Sequence, residues 1–260
     1  MTNAHTDHII ATTEDRVRTV VINRPEKKNA LTLSMYRSLT DELKTAADDP
    51  EIRVVVLTGV DGVFTSGNDL ADFQDAGVLG EDAPVFRFIQ ALPRFPKPLV
   101  AAVNGPAVGI GTTLLPHCDL VYADPNAVFL TPFSRLGVTP EAGSSLLLPL
   151  IMGLQRATEM LMLGETFSAE RAREAGLVNE VVAPAELARH AAKRAETLAT
   201  LPPEAIRQTK RLLRGAVLDD LQDVIELEGR VFRERLTSPE AAEAFRAFFE
   251  KRPPDFSRFT

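Results

Sequence analysis

Three short segments carry the residue types that enolate chemistry needs: Phe64-Thr-Ser-Gly-Asn-Asp-Leu70, Asn104-Gly-Pro-Ala-Val-Gly-Ile-Gly111 and Thr139-Pro-Glu-Ala-Gly143. The first two each follow an apolar, strand-like run and break on glycine, so each can present bare backbone N–H groups to a developing negative charge. The third supplies one carboxylate, Glu141. Two backbone donors and one base suffice to form an enolate and hold it. Taken alone, the glycines serve equally well as tight turns. The third segment likewise reads as an ordinary helix start, with Thr139 capping, Pro140 at the first helical position and Glu141 in the first turn. A helix N-terminus favours the carboxylate anion, so a base there needs apolar surroundings; Phe133, Leu136 and the run after Ser145 can supply them.

Other chemistries fail on spacing. Gly105, Gly109 and Gly111 fit neither a dinucleotide fingerprint nor a phosphate loop, and the chain has no G-x-S-x-G elbow and no H-E-x-x-H helix. A single cysteine, Cys118, excludes an intrachain disulfide framework and reads as a small buried side chain before a strand. His117 reads as a satisfied polar residue at a helix end, and Phe245, Phe248 and Phe249 as packing at helical spacing. The 29 basic and 36 acidic residues give a net charge of −7, which argues against nucleic acid or an anionic membrane as partner. No apolar run is long enough to cross a bilayer. The first eight residues do not read as a secretory signal, nor the last as a peroxisomal address, so a cytoplasmic protein is expected.

The elements that must position these segments alternate. Strands near 8–13 and 17–23 form a hairpin, and a helix capped by Thr32 carries Met35, Leu39 and Leu43 until Asp48-Asp49-Pro50 stops it. Runs 53–59 and 98–103 are apolar on both faces and suit buried strands. A helix near 85–92 lies between them, and Asp69 reads as the cap of whatever helix follows it. After 98–103 come a short apolar helix at 108–116, strands at 119–123 and 127–130, and helices at 144–152, 154–163 and 169–175. A strand at 177–182 and helices at 185–198, 203–213, 218–235 and 239–249 complete an α/β chain. The break at Leu201-Pro202-Pro203 divides a core, 1–200, from a helical region, 201–260.

The two glycine segments resemble the oxyanion-hole signatures of the crotonase, or enoyl-CoA hydratase/isomerase, family. Val21-Ile-Asn-Arg-Pro25 with Asn29-Ala-Leu31, Cys118-Asp-Leu-Val-Tyr-Ala123 and Ala172-Arg-Glu-Ala-Gly-Leu-Val178 extend the resemblance over nearly the whole chain. It implies a spiral of ββα units with a helical C-terminal region that joins subunits into homotrimers or dimers of trimers. It places the oxyanion donors on the backbone N–H groups of Asn68 and Ile110. The glutamate pair of the hydratases would fall at Thr113 and Phe133, neither of which is an acid, whereas Glu141 matches the single glutamate of the 3-enoyl-CoA to 2-enoyl-CoA isomerases. The resemblance further implies an acyl-CoA site that takes in Lys27, Lys28, Ala30, Ser66 and Gly67. Asp69, Leu70, Gly109, Phe133 and Leu136 belong to the same expected site, and Lys251 or Arg252 is a candidate for the CoA phosphates. No metal or redox cofactor is expected, coenzyme A being part of the substrate. The alternatives are a hydratase, a hydrolase or dehalogenase in which Glu141 attacks covalently, and a non-catalytic acyl-CoA binder.

Overall fold

The computed structural model describes residues 8–69, 80 and 82–259. Strands β1 (Ile9–Glu14) and β2 (Val17–Ile22) form the expected hairpin. Its two turn residues, Asp15 and Arg16, both have positive φ, the backbone that a tight two-residue turn between twisted strands requires. Helix α1 (Leu33–Asp48) starts where the Thr32 hydroxyl accepts the Met35 N–H at 3.2 Å, and it buries Met35, Tyr36, Leu39 and Leu43. Then come β3 (Val54–Gly59), α2 (Pro84–Ala91), β4 (Leu99–Val103), β5 (Ala107–Val108) and the single-turn helix α3 (Ile110–Thr113). Strands β6 (Leu120–Ala123) and β7 (Val128–Leu130) lead to helices α4 (Ser144–Met152) and α5 (Leu154–Leu161).

The remaining elements are β8 (Phe167–Ser168), α6 (Ala169–Glu174), β9 (Glu180–Val181), α7 (Pro184–Thr200), α8 (Pro203–Gly215), α9 (Leu218–Leu236) and α10 (Pro239–Phe249). β9 is shorter than the expected 177–182, because Gly176 at φ +86 turns the chain and only two residues reach β6.

The strands form two sheets, ordered β1-β2-β3-β4-β6-β9 and β5-β7-β8. In the larger sheet every pairing after the hairpin is parallel. Isolated parallel bridges, Thr65 to Ala107 and Leu31 to Asn68, continue the smaller sheet backwards along the chain. Successive turns therefore visit both sheets before a helix, which is the expected ββα spiral. Both glycine segments lie where the chain crosses from the large sheet to the small one.

The two faces of the large sheet are covered differently. Val54, Val56, Val100, Ala102 and Tyr122 pack against Leu187, Ala191, Ala195 and Ala199 of α7, whose small side chains let the helix lie close. The other face belongs to the main core with α1 and α2. The C-terminal helices pack on this framework. Lys210 of α8 reaches Asp119 at 2.7 Å, and Arg214 donates to the carbonyls of Pro116 and Cys118. Leu221, Ile225, Glu228 and Phe232 of α9 are buried. Among the described residues no helix is long and apolar enough to cross a membrane.

Candidate active site

The two glycine turns interlock. Phe64 and Thr65 both donate their N–H to the Pro106 carbonyl at 3.1 Å, and the Val108 N–H donates to the Thr65 carbonyl at 3.0 Å. Gly105 lies so close to the other turn that a Cβ on it would stand 1.8 Å from the Gly62 carbonyl oxygen. Gly67, at φ +91, donates its N–H to the Thr65 hydroxyl at 3.1 Å and sends the chain into Asn68. Gly109, at φ +57, turns the chain into α3, so Ile110 is its first residue. Among the described residues the N–H groups of Asn68 and Ile110 have no acceptor. Two adjoining turns thus each leave a backbone donor unused.

Glu141 is buried, 4% exposed, and accepts a 2.5 Å hydrogen bond from the Thr113 hydroxyl on the same short helix as Ile110. Burial raises its pKa to about 8; the Thr113 bond opposes that rise, and the negative charge of Glu228 adds to it. A carboxyl with that proton affinity can both take and return a proton near neutral pH. Tyr36, on the buried face of α1, donates its hydroxyl to the Asn68 side-chain oxygen. Its own proton is held more tightly than usual, by burial first and then by the charge of Glu141. One phenol thus bonds the Asn68 side chain and feels the charge of Glu141.

The surroundings of Glu141 bear out the helix expected at 144–152 and overturn the reading of Thr139 as a helix cap. Helix α4 begins only at Ser144, since Ala142 at φ +60 and Gly143 at φ +70 are left-handed and cannot continue a right-handed helix. The Thr139 hydroxyl caps nothing and has no partner among the described residues. Glu141 consequently sits in a turn ahead of the helix, and burial rather than the helix terminus sets its proton affinity. That turn is gripped by neighbours. The Ala142 carbonyl lies 2.7 Å from His117 Nε2. Burial lowers the His117 pKa to about 4, and a carbonyl can only accept, so the neutral ring carries its proton on Nε2.

The rest of the expected site falls into place unevenly. Lys27 and Lys28 are exposed, and Lys28 gives its carbonyl to the Ser66 N–H at 3.1 Å, tying this loop to the turn of Asn68. Ala30 is half-buried, its N–H on the Lys27 carbonyl at 3.0 Å. Gly109 donates to the Leu130 carbonyl at 2.8 Å. Phe133 is buried and Leu136 half-buried in the segment that leads to Glu141. Leu70 lies outside the described residues, as does the helix that Asp69 was expected to cap. Asp69 itself is paired with Arg24 at 2.7 Å. Arg252 is paired with Glu243 at 2.6 Å and with Glu250. Phe248 and Phe249 are exposed, 57% and 50%, contrary to a packing role within this chain. Cys118 is buried and its thiol is pushed up to about 12 by that burial, so it is inert.

Sequence reasoning missed three groups. Tyr36 looks like one more apolar position of α1, and Thr113 enters the sequence argument only as the place where an acid is lacking. For Glu228 a signal exists: it interrupts the buried stripe Leu221, Ile225, Phe232 at helical spacing, and an acid on a buried stripe needs a partner.

Comparisons with known proteins bear on the family and the fold. The Enoyl-CoA hydratase/isomerase family model matches residues 12–258. The chain is 41% identical over 251 residues to enoyl-CoA delta isomerase 2 of Rattus norvegicus, covering 94% of this chain and 64% of that protein, so it spans less than two thirds of that relative. It is 35% identical over 252 residues to 2,3-dehydroadipyl-CoA hydratase of Escherichia coli, covering 95% of this chain and 98% of the relative. The crystal structure of an enoyl-CoA hydratase/isomerase from Pseudoalteromonas atlantica T6c superposes with a TM-score of 0.92 at 43% identity, covering 96% and 100% of the two chains.

Proposed function

The chain belongs to the enoyl-CoA hydratase/isomerase family, and from that footing we propose that it moves the double bond of a 3-enoyl-CoA thioester to the 2-position. The observation that carries the reading is Glu141: one buried carboxyl with a pKa of about 8, hydrogen-bonded through Thr113 to the short helix that opens with the unused Ile110 N–H. In the proposed cycle Glu141, as the anion, removes a proton from C2 of the thioester. The electron pair moves into the C2–carbonyl bond, and the resulting enolate oxygen is held by the N–H groups of Asn68 and Ile110. Glu141, now neutral, returns the proton at C4 as the double bond settles between C2 and C3, so base and donors are restored. Loss of one such backbone donor typically costs on the order of a hundredfold in rate.

Hydration would call for a second acid or base, and among the described residues two other carboxylates near these segments are already engaged. Asp69 is paired with Arg24, and Glu228 accepts two backbone N–H groups. The reading extends to a cytoplasmic enzyme without metal or redox cofactor, assembled as a homotrimer or dimer of trimers, with the loop carrying Lys27 and Lys28 along the CoA moiety.

The test is to incubate the protein with 3-hexenoyl-CoA and follow the conjugated thioester, with Glu141→Gln beside it. Turnover in the wild type that falls by a factor of about a thousand or more in the variant is expected for loss of the base, within the range a positioned general base contributes. Unchanged activity in Glu141→Gln would sink the assignment. With a pKa of about 8, kcat/KM should fall roughly tenfold for each pH unit below that value, because only the anion can take the C2 proton.

A further inference from the structure

Glu228 reaches the base's turn from a helix that sequence alone assigns to a different region. It lies 85 residues from Gly143, on the buried stripe of α9, and is 7% exposed. A carboxylate there is costly unless each oxygen is satisfied. Both are: Oε2 accepts the Gly143 N–H at 2.6 Å and Oε1 accepts the Ser145 N–H at 2.9 Å. These donors belong to the start of α4, which has no side-chain cap of its own.

The Ala142–Gly143 peptide is thereby held at both its polar atoms. His117 binds its carbonyl oxygen at 2.7 Å and Glu228 binds its N–H. An alanine at φ +60 costs roughly 1–2 kcal/mol, and such backbone persists only where the surroundings over-determine it. The turn is also pressed onto α9: a Cβ on Gly143 would stand 2.3 Å from the Leu221 side chain.

We propose that Glu228 is a positioning residue for Glu141, fixing the turn that aims the base through the Gly143 and Ser145 N–H groups. Its charge has a second effect. The polar groups that face Glu141 are the Thr113 and Tyr36 hydroxyls and the Glu228 carboxylate, while the nearby His117 ring is neutral; Glu228 is the one whose negative charge raises the proton affinity of Glu141. The turnover arm of the test rests on the isomerase reading; the titration arm does not.

Glu228→Gln keeps the size and one acceptor and loses the charge, and Glu228→Asp keeps the charge with a shorter reach. The titration of Glu141 is followed by the carboxyl infrared difference between each protein and its Glu141→Gln counterpart, which needs no turnover. The midpoint is expected to fall by about 0.5–1 pH unit in Glu228→Gln and to stay close to wild type in Glu228→Asp. With 3-hexenoyl-CoA, kcat is expected to fall roughly tenfold to a hundredfold in Glu228→Gln, with KM within about twofold, as for a base displaced by a fraction of an ångström.

An unmoved midpoint in Glu228→Gln overturns the inference whatever the turnover, and so does a wild-type kcat in that variant. A midpoint that moves as stated in a protein that isomerises nothing supports the inference and rejects the isomerase reading instead. Should Glu228→Gln fail to fold, Glu228→Asp decides: a lowered kcat at an unchanged midpoint supports positioning, and an unchanged kcat rejects it.

Discussion

At the scale of the residue, the chemistry turns on keeping a carboxyl out of water. Glu141 has a pKa of about 8 in the fold against 4.5 for the free side chain, so the folded protein binds this proton more tightly than the unfolded chain does. Below about pH 4.5 both states are protonated and the site costs nothing. As pH rises toward 8 the unfolded chain releases its proton first, and stability falls throughout that window. Glu141→Gln removes the titration while keeping an acceptor for the Thr113 hydroxyl. Its stability should match that of the wild type near pH 4.5 and exceed it by on the order of 5 kcal/mol at pH 8.5. Urea unfolding of both proteins at the two pH values measures the difference. A variant no more stable at pH 8.5 than at pH 4.5, relative to wild type, would mean that Glu141 titrates normally. The same residue shows how legibility depends on locality. Glu141 was legible as a candidate base from the residue type and a family resemblance, but its backbone was not, because an alanine at position 142 gives no sign that it will be left-handed.

At the scale of the element, the decisive feature is how closely two turns approach. Local signals were legible: Thr32 caps α1 as its side chain foretells, and the β-branched run of β3 becomes a strand buried on both faces. What the two strand-to-helix turns do to each other was not, since it depends on where parallel strands place their ends. Gly105 at φ +149 packs against the Gly62 backbone, and Gly111 leaves 2.6 Å between a would-be Cβ and the Thr65 side chain. Both contacts join the turn of Asn68 to the turn of Ile110. Gly105→Ala should therefore push the turns apart, lowering kcat by about a hundredfold and stability by roughly 2–4 kcal/mol, with backbone atoms on the receiving side that cannot swing away. Gly62→Ala meets nothing within 4 Å, so it tests left-handed strain without that clash. Equal losses in the two variants would show that strain in the turns, rather than their spacing, matters.

At the scale of the whole molecule, the C-terminal helices couple the site to the surface. The same helices that deliver Glu228 and clamp Asp119 through Lys210 and Arg214 also carry apolar side chains turned outward: Leu212 and Leu213 on α8, at 80% and 76% exposure, and Phe248 and Phe249 on α10. From the sequence, Phe248 and Phe249 read as packing at helical spacing, and Leu212 and Leu213 fall within the helix expected at 203–213. Their exposure emerges only when the packed face of each helix is known, for α8 binds the core through its cations rather than through these leucines. Large side chains left in water at this density are what a subunit contact would cover. A mass near a multiple of 28.4 kDa, three or six, is expected by light scattering after gel filtration. The double substitution Leu212→Asp and Leu213→Asp should return the protein to a single chain, because two carboxylates cannot be buried unpaired. If α9 is braced by the neighbouring subunit, that monomer should also lose kcat in proportion to the Glu228→Gln variant, since both loosen the same turn. A wild-type protein that runs at 28.4 kDa at every concentration would leave those side chains exposed in the working enzyme and detach the site from assembly.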